Sequence, residues 1–275
     1  MLLIIRIMKK LKPYLPLSVI KTLNFIYFRF YIKAECIVLD FFEKKNCIKS
    51  GYPNASLRYR VNGTPELNVF LSEGERCSVD LEIALARIGK RMDSFQNILD
   101  FGCGCGRTIR CFEKYAASSS ISGTDIDSAA IDYCRQRYKN ISFSVNQPLP
   151  PLAYSSNNFD LVYSISVLTH IDEEFQFLWL AELARIVKPG GLVFLSVHGS
   201  QSWKTLSVEY VAKIRTNGFL YISENVWKGI FPNWYQTAFH SEEYVRAEFS
   251  RFFNVVEYIP QGISSFQDLI VMEKR

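Results

Sequence analysis

The stretch ILDFGCGCGR, Ile98 to Arg107, constrains this chain more than any other. Ile98 and Leu99 read as a buried strand, Asp100 follows, and glycines stand at 102, 104 and 106. A run with helical character, Arg107 to Ala116, comes directly after. Glycines in such a place permit a tight turn and let peptide N–H groups approach a ligand closely. Strand, glycine turn and helix start together make a nucleotide-type site in an open α/β sheet.

The chain beyond this turn keeps the same rhythm. Ser120–Ile126 reads as a strand ending in Gly123-Thr124-Asp125, helix Ser128–Tyr138 follows with Ile131 and Cys134 inward, and Ile141–Val145 is a third strand. Such alternation implies a parallel sheet with right-handed crossovers. Asn146–Asn158 is a loop, Phe159–Ile165 a buried strand, and Asp172–Val187 a helix whose acids sit at its favourable end. Lys188-Pro189-Gly190-Gly191 reads as a helix stop and turn before a fifth strand, Leu192–Val197. Residues 199–240 break the pattern and hold three of the four tryptophans, Trp203, Trp227 and Trp234. Helix Ser241–Phe252 restores it, and Phe253–Ile259 with Gln267–Met272 reads as a closing antiparallel pair.

The N-terminal part differs in character. Residues 1–50 carry ten Lys or Arg against three Asp or Glu, a net +7 out of +5 for the whole chain, so the body is slightly acidic. That balance disfavours nucleic acid as a partner. Apolar residues recur at helical spacing over 17–45, with Ser18 as the expected N-cap. Arg29, Lys33, Glu35 and Asp40 interrupt the run, so it falls short of the roughly 18 charge-free residues a membrane span needs. The opening MLLIIRIMKKLK lacks the basic start and small-residue cleavage site of a signal peptide. The amphipathic segment serves either as a lid packed on the body or as a helix lying on an anionic membrane face. Residues 51–77 read as an irregular connector, and Ser78 as the cap of a short helix, Val79 to Met92.

The seven cysteines are scattered, with no CxxC pair, so structural thiols in a reducing, cytoplasmic compartment are expected and no metal site.

Three further segments accompany the glycine turn GCGCGR (102–107): LPPLAYSSNNFD (149–160), SVLTH (166–170) and FQDLIV (266–271), with Asp125 at the end of the second strand. In this combination residues 97–275 resemble the class I S-adenosylmethionine-dependent methyltransferases, in particular bacterial members of the type 11/12 kind. The resemblance implies a doubly wound, Rossmann-like α/β fold with a seven-stranded, mostly parallel sheet and a C-terminal antiparallel strand. It divides the chain into a basic helical extension (1–50), a connector and lead-in helix (51–96) and a methyltransferase domain (97–275), with 199–240 as an aromatic insertion on the acceptor side.

The resemblance implies S-adenosyl-L-methionine as cofactor. Asp100 falls on the acid near the methionine amine, and Gly102, Cys103, Gly104 and Gly106 on the turn carrying the methionine part and ribose. Asp125, 25 positions beyond Asp100, falls on the ribose acid, a role its place at a strand end also suits. Ile126 and Asn146 fall against the adenine, and Ser164 where the fourth strand ends beside the cofactor. Each acid has a plainer reading, fixing a turn through its side chain. A nicotinamide oxidoreductase would need a final glycine where Arg107 stands. A catalytically silent scaffold on a membrane-associated assembly complex would not need the intact acids and glycines.

Reaction zones of open parallel sheets lie beyond the carboxyl ends of the strands, where His170 and His198 fall, so both are candidate bases for a hydroxyl acceptor. Members of this type accompany polysaccharide and glycolipid assembly, which implies a small-molecule or glycan acceptor, foremost a sugar oxygen.

Overall fold

Alternate residues of the central strands face opposite apolar layers, and this places the sheet at the middle of the molecule. The computed structural model describes residue 30 and residues 32–43, 51–223 and 236–275. The chain divides into two compact units, Met1–Ser56 and Leu57–Arg275.

The larger unit is built on strands β1 (Asn97–Phe101), β2 (Ser120–Asp125), β3 (Ser142–Val145), β4 (Phe159–Ser164), β5 (Val187–Val197), β8 (Asn254–Ile263) and β9 (Gln267–Glu273). Their order is β3-β2-β1-β4-β5-β9-β8. Neighbours from β3 to β5 run parallel, and β9 runs antiparallel to both β5 and β8. This is the doubly wound, Rossmann-like sheet expected, with one reversed strand near the C-terminus. A separate antiparallel hairpin, β6 (Phe219–Ile222) with β7 (Thr237–His240), lies in the stretch that breaks the rhythm.

One face of the sheet packs Ile98, Tyr163, Phe194 and Val271 against Cys77, Leu81, Leu85, Ile109 and Phe112. The other packs Leu99, Val162, Leu195 and Ile270 against Trp179, Leu183, Val245 and Phe249. The helices are α2 (Ala55–Asn62), α3 (Leu67–Arg87), α4 (Ser128–Arg137), α5 (Glu173–Ile186), α6 (Val208–Asn217) and α7 (Glu242–Phe249), of which α3, α4, α5 and α7 supply these two layers. Asp127 caps α4 by accepting from Ala129 and Ala130 N–H, and Asp172 and Ser241 cap α5 and α7.

Three local expectations are corrected. Residues 51–77 are mostly helical, because Gly74 does not interrupt α3. A Cβ there would lie 2.0 Å from the Arg107 carbonyl oxygen, so this glycine exists for close packing. Ser78 accordingly lies inside α3, its hydroxyl donating to Glu75 O at 2.8 Å, and caps nothing. The run after the glycine turn is a 3₁₀ helix, Ile109–Tyr115, where Ile109 and Phe112 both reach the core. A spacing of three suits that tighter winding. Finally, the Lys188–Gly191 stretch is the start of β5. Gly190 N–H donates to Lys274 O and Lys274 N–H to Gly191 O, tying both glycines to the end of the chain.

In the smaller unit, residues 32–43 form a helix, α1, and Asp40 Oδ1 accepts the Ala55 N–H at 2.8 Å. The expected cap Ser18 and the rest of the 17–45 pattern before Phe30 lie outside the described residues, as do Trp227 and Trp234. No described helix is long and apolar enough to cross a membrane.

Candidate active site

A cavity of about 380 Å³ opens at the carboxyl ends of β1, β2 and β4. Of the residues singled out from the sequence, Asp100, Gly102, Cys103, Gly104, Asp125, Ile126, Asn146 and His170 line it together. Gly106, Ser164 and His198 do not.

The turn is built by its neighbours. Thr124 O accepts from the N–H groups of Gly102 (2.8 Å) and Cys103 (3.1 Å), and Asp125 Oδ2 accepts from Gly104 N–H at 2.7 Å. Gly102 has φ +83°, and a Cβ on it would meet Val167 Cγ2 at 2.2 Å. Gly104, with φ +52°, faces Val61 of α2 at 2.6 Å in the same sense. The turn is thus clamped between the loop after β4 and α2, and at 102 and 104 its backbone lines the cavity with no side chain in between. Gly106 serves packing: a Cβ would approach Tyr138 to 2.9 Å.

The two acids differ. Asp125 supports the turn, and its other oxygen accepts the Asp127 N–H at 2.8 Å. Burial raises its carboxyl above the usual range, while the N–H donors of Asp127 and Gly104 pull it down. Asp100, 3% exposed, takes no part in the hydrogen bonds that hold the turn. Burial pushes its carboxyl up to about 8. The neighbouring Tyr163 hydroxyl is buried and lacks a hydrogen bond of normal geometry. The plainer reading of Asp100, a turn fixed by its side chain, is therefore not what the structure uses; Asp125 has that duty.

Asn146 is employed locally. Its Oδ1 accepts from Thr124 Oγ1 at 3.0 Å and its Nδ2 donates to Gln147 O at 2.8 Å. Cys103 is a buried thiol held neutral by desolvation. Ser164 is buried, and its hydroxyl has no partner.

The histidines cluster beyond β4 and β5. His170 ends a 3₁₀ turn, Leu168–His170, and its Nδ1 lies 2.9 Å from Gln236 O. His198 Nδ1 lies 3.1 Å from Ala238 O, and the two rings are 6.2 Å apart. A carbonyl only accepts, so each Nδ1 carries the proton and each Nε2 the lone pair. Burial lowers both rings to about 4, so both are neutral at pH 7. His240 is fully buried and lowered to about 3, with Nε2 2.8 Å from Gln176 Oε1. Gln176 Nε2 donates to Leu168 O and Ile171 O, which braces the turn bearing His170.

Other lining residues escaped the sequence reading. Arg60, in a stretch read as irregular, pairs with Asp127 at 3.0 Å, and Arg107 donates to Asn62 Oδ1 at 2.9 Å; both line the cavity. Ser166 was visible only as part of SVLTH. Its φ of +65° is strained for a residue with a side chain. It is held by Ser196 Oγ, which accepts its N–H at 2.8 Å, and by Gln267 Nε2, which donates to its hydroxyl at 2.8 Å. Trp179 adds an apolar wall and carries no motif signal.

Residues 98–191 match the family model of the methyltransferase domain. Among curated proteins, the chain is 28% identical over 143 residues to a fatty-acid O-methyltransferase of Mycolicibacterium smegmatis, covering 49% of each. It is 31% identical over 133 residues to phosphoethanolamine N-methyltransferase 1 of Arabidopsis thaliana, covering 45% of this chain and 25% of that one. The chain spans about half or less of the length of these relatives. In fold it is similar to the PH0226 protein of Pyrococcus horikoshii, with a TM-score of 0.51, 17% identity, and coverage of 72% and 89% of the two chains.

The cavity suits S-adenosylmethionine. The carboxyl groups of Asp100 and Asp125, a glycine turn without side chains, two guanidinium groups and apolar walls match a ligand with an amine, a carboxylate, a diol and a flat ring. The sheet order, the glycine cradle with its acid pair and the match over residues 98–191 identify a class I S-adenosylmethionine-dependent methyltransferase domain within this chain.

Proposed function

We propose that this protein transfers a methyl group from S-adenosylmethionine to an oxygen of a small-molecule or glycan acceptor, foremost a hydroxyl of a sugar or polysaccharide precursor. The observation that carries the reading is the convergence of Asp100, Asp125, the glycine turn and His170 on one cavity. The fatty-acid relative supports oxygen as the accepting atom; the sugar rests on the family resemblance alone.

In this reading Asp100 faces the methionine amine, Gly102 to Gly106 carry the methionine part and ribose, and Asp125 takes the ribose hydroxyls. Ile126 and Asn146 border the adenine, and Ser164 lies behind the site at the end of β4. Arg60 and Arg107 are the cations available to a carboxylate. The bound cofactor supplies an already activated methyl group, so the protein's part is alignment and exclusion of water. His170 lines the cavity with a neutral ring and accepts the hydroxyl proton at Nε2. His198 sits beside it, wedged among Phe239, Phe266 and His170. The protein works in the cytoplasm, with residues 1–45 in peripheral contact with the inner membrane face.

Calorimetry with S-adenosylhomocysteine is the first test. Saturable binding is expected, and no heat at high micromolar protein and ligand overturns the reading. Transfer of a labelled methyl group to a panel of sugar, lipid and phenolic acceptors then separates the acceptor classes.

A further inference from the structure

Helix α1 has two apolar sides, and only one of them is covered. At about 100° per residue, Ile32, Cys36 and Leu39 fall together, and they are buried or half-buried. Phe30, Ala34, Ile37, Val38, Phe41 and Phe42 fall on an opposite arc of about 140°. All six are exposed. The large ones are heavily so: Phe30 71%, Ile37 69%, Val38 51%, Phe41 64% and Phe42 54%. Elsewhere among the described residues, exposed large apolar side chains are mostly scattered singly, as on any soluble surface. A contiguous patch of this kind marks a surface that meets something apolar.

Charge identifies what it meets. The first 50 residues have a net charge of +7, against about −2 for the rest of the chain. Lys33 stands about 40° beyond one edge of the exposed arc, and further bases flank the helix in sequence, Lys21 and Arg29 before it and Lys44, Lys45 and Lys49 after it. Glu35 stands about 20° beyond the other edge, Asp40 and Glu43 lie on the covered side, and Asp40 is engaged with the Ala55 N–H. An apolar stripe in a cationic segment fits an anionic bilayer. The phenyl and aliphatic groups enter the boundary of the acyl layer, and Lys and Arg stay at the headgroups. The helix carries too much charge to go deeper.

We infer that the exposed face of α1, centred on Ile37 and Phe41, docks this protein on an anionic lipid surface. This deepens the peripheral contact in the proposed function by assigning it a face and a lipid chemistry. Docking needs no turnover, so its failure would leave the methyl-transfer reading standing, and the reverse.

The test is co-sedimentation of the full chain with vesicles of phosphatidylcholine containing phosphatidylglycerol, against pure phosphatidylcholine. At about 0.1 M salt, partition into the anionic vesicles should be at least about tenfold stronger, and it should weaken at about 0.5 M. The double variant Ile37→Glu with Phe41→Glu should lose binding at unchanged melting temperature and S-adenosylhomocysteine affinity, both positions being exposed. Wild-type protein remaining in the supernatant, or a variant that pellets equally well, overturns the inference. So does light scattering that shows a wild-type dimer, a variant monomer and no vesicle binding, since a second copy then covers the face.

Discussion

Asp125 accepts the peptide N–H of Gly104 at 2.7 Å, so the acid at the end of one strand holds the glycine turn that follows another. The same carboxylate lines the cavity. Asp125 is thus part of the scaffold and part of the site, whereas Asp100 belongs to the site alone.

That contrast gives the first prediction. An amide at 125 can accept with one atom only and leaves either Gly104 or Asp127 N–H facing an NH₂ group. Asp125→Asn should cost about 1–3 kcal/mol of stability and also weaken S-adenosylhomocysteine binding. Asp100→Asn should leave the melting temperature unchanged or raise it, because folding no longer has to protonate an acid that is ionised in the unfolded chain, and should still weaken binding at least about tenfold. Melting curves and calorimetry on both variants decide it; equal destabilisation by the two would contradict the division of labour.

The cofactor's affinity should depend on pH through Asp100. In the empty protein this carboxyl stays protonated up to about 8, and a cationic amine beside it demands the ionised form. Binding therefore releases a proton, and affinity should rise between pH 6 and 8 by at most about tenfold per unit, then level off. Calorimetry at pH 7 in buffers of different ionisation enthalpy should report release of about one proton, and Asp100→Asn should abolish it.

Stability should depend on pH in a way set by the histidines. Their rings titrate at about 4, 4 and 3 for His170, His198 and His240 when folded, and at about 6.5 when unfolded. A depressed value means that the unfolded chain binds more protons, so this stability is complete above about 6.5 and is lost as pH falls through about 4. Asp100 has the opposite sign: its term is present at low pH and lost as pH rises through about 8, and Asp125 opposes in the same direction. Three rings outweigh two carboxyls, so the melting temperature should fall from pH 6.5 to pH 5. Asp100→Asn should make that fall steeper, and a shallower one would show that the rings are not buried neutral.

Removing the candidate base should separate chemistry from binding. His170→Ala should lower kcat by about 10²–10⁴ and leave S-adenosylhomocysteine affinity within about twofold. His198→Ala should have the smaller effect on kcat, since its ring does not line the cavity. A reversed order would transfer the proton-accepting role to His198.

The sheet was legible because its signals are local: apolar runs, glycine turns and caps at fixed offsets. Asp100, Asp125 and the glycine turn were legible for the same reason. Arg60 was not, because its partner Asp127 lies 67 residues away in sequence. The helix α3 was hidden by Gly74, whose reason for being there is a backbone oxygen of Arg107 brought close only by folding. The stretch at Gly190 and Gly191 read as a turn because its partner, Lys274, stands at the far end of the chain. Ring tautomers at 170 and 198 depend on the carbonyls of Gln236 and Ala238, distant in sequence, and have no signature in either neighbourhood.

Those two carbonyls, Gln236 O and Ala238 O, stand two residues apart on one short segment, while the rings they hold follow β4 and β5. The cofactor half of the molecule is complete without that segment. A descendant that exchanged the 199–240 stretch for another would inherit the methyl donor's cradle intact but would have to reinvent the anchor for both rings. On the proposed reading, with 199–240 on the acceptor side and His170 as the base, choice of acceptor and readiness to take its proton are heritable as a single module, and neither can drift far without the other.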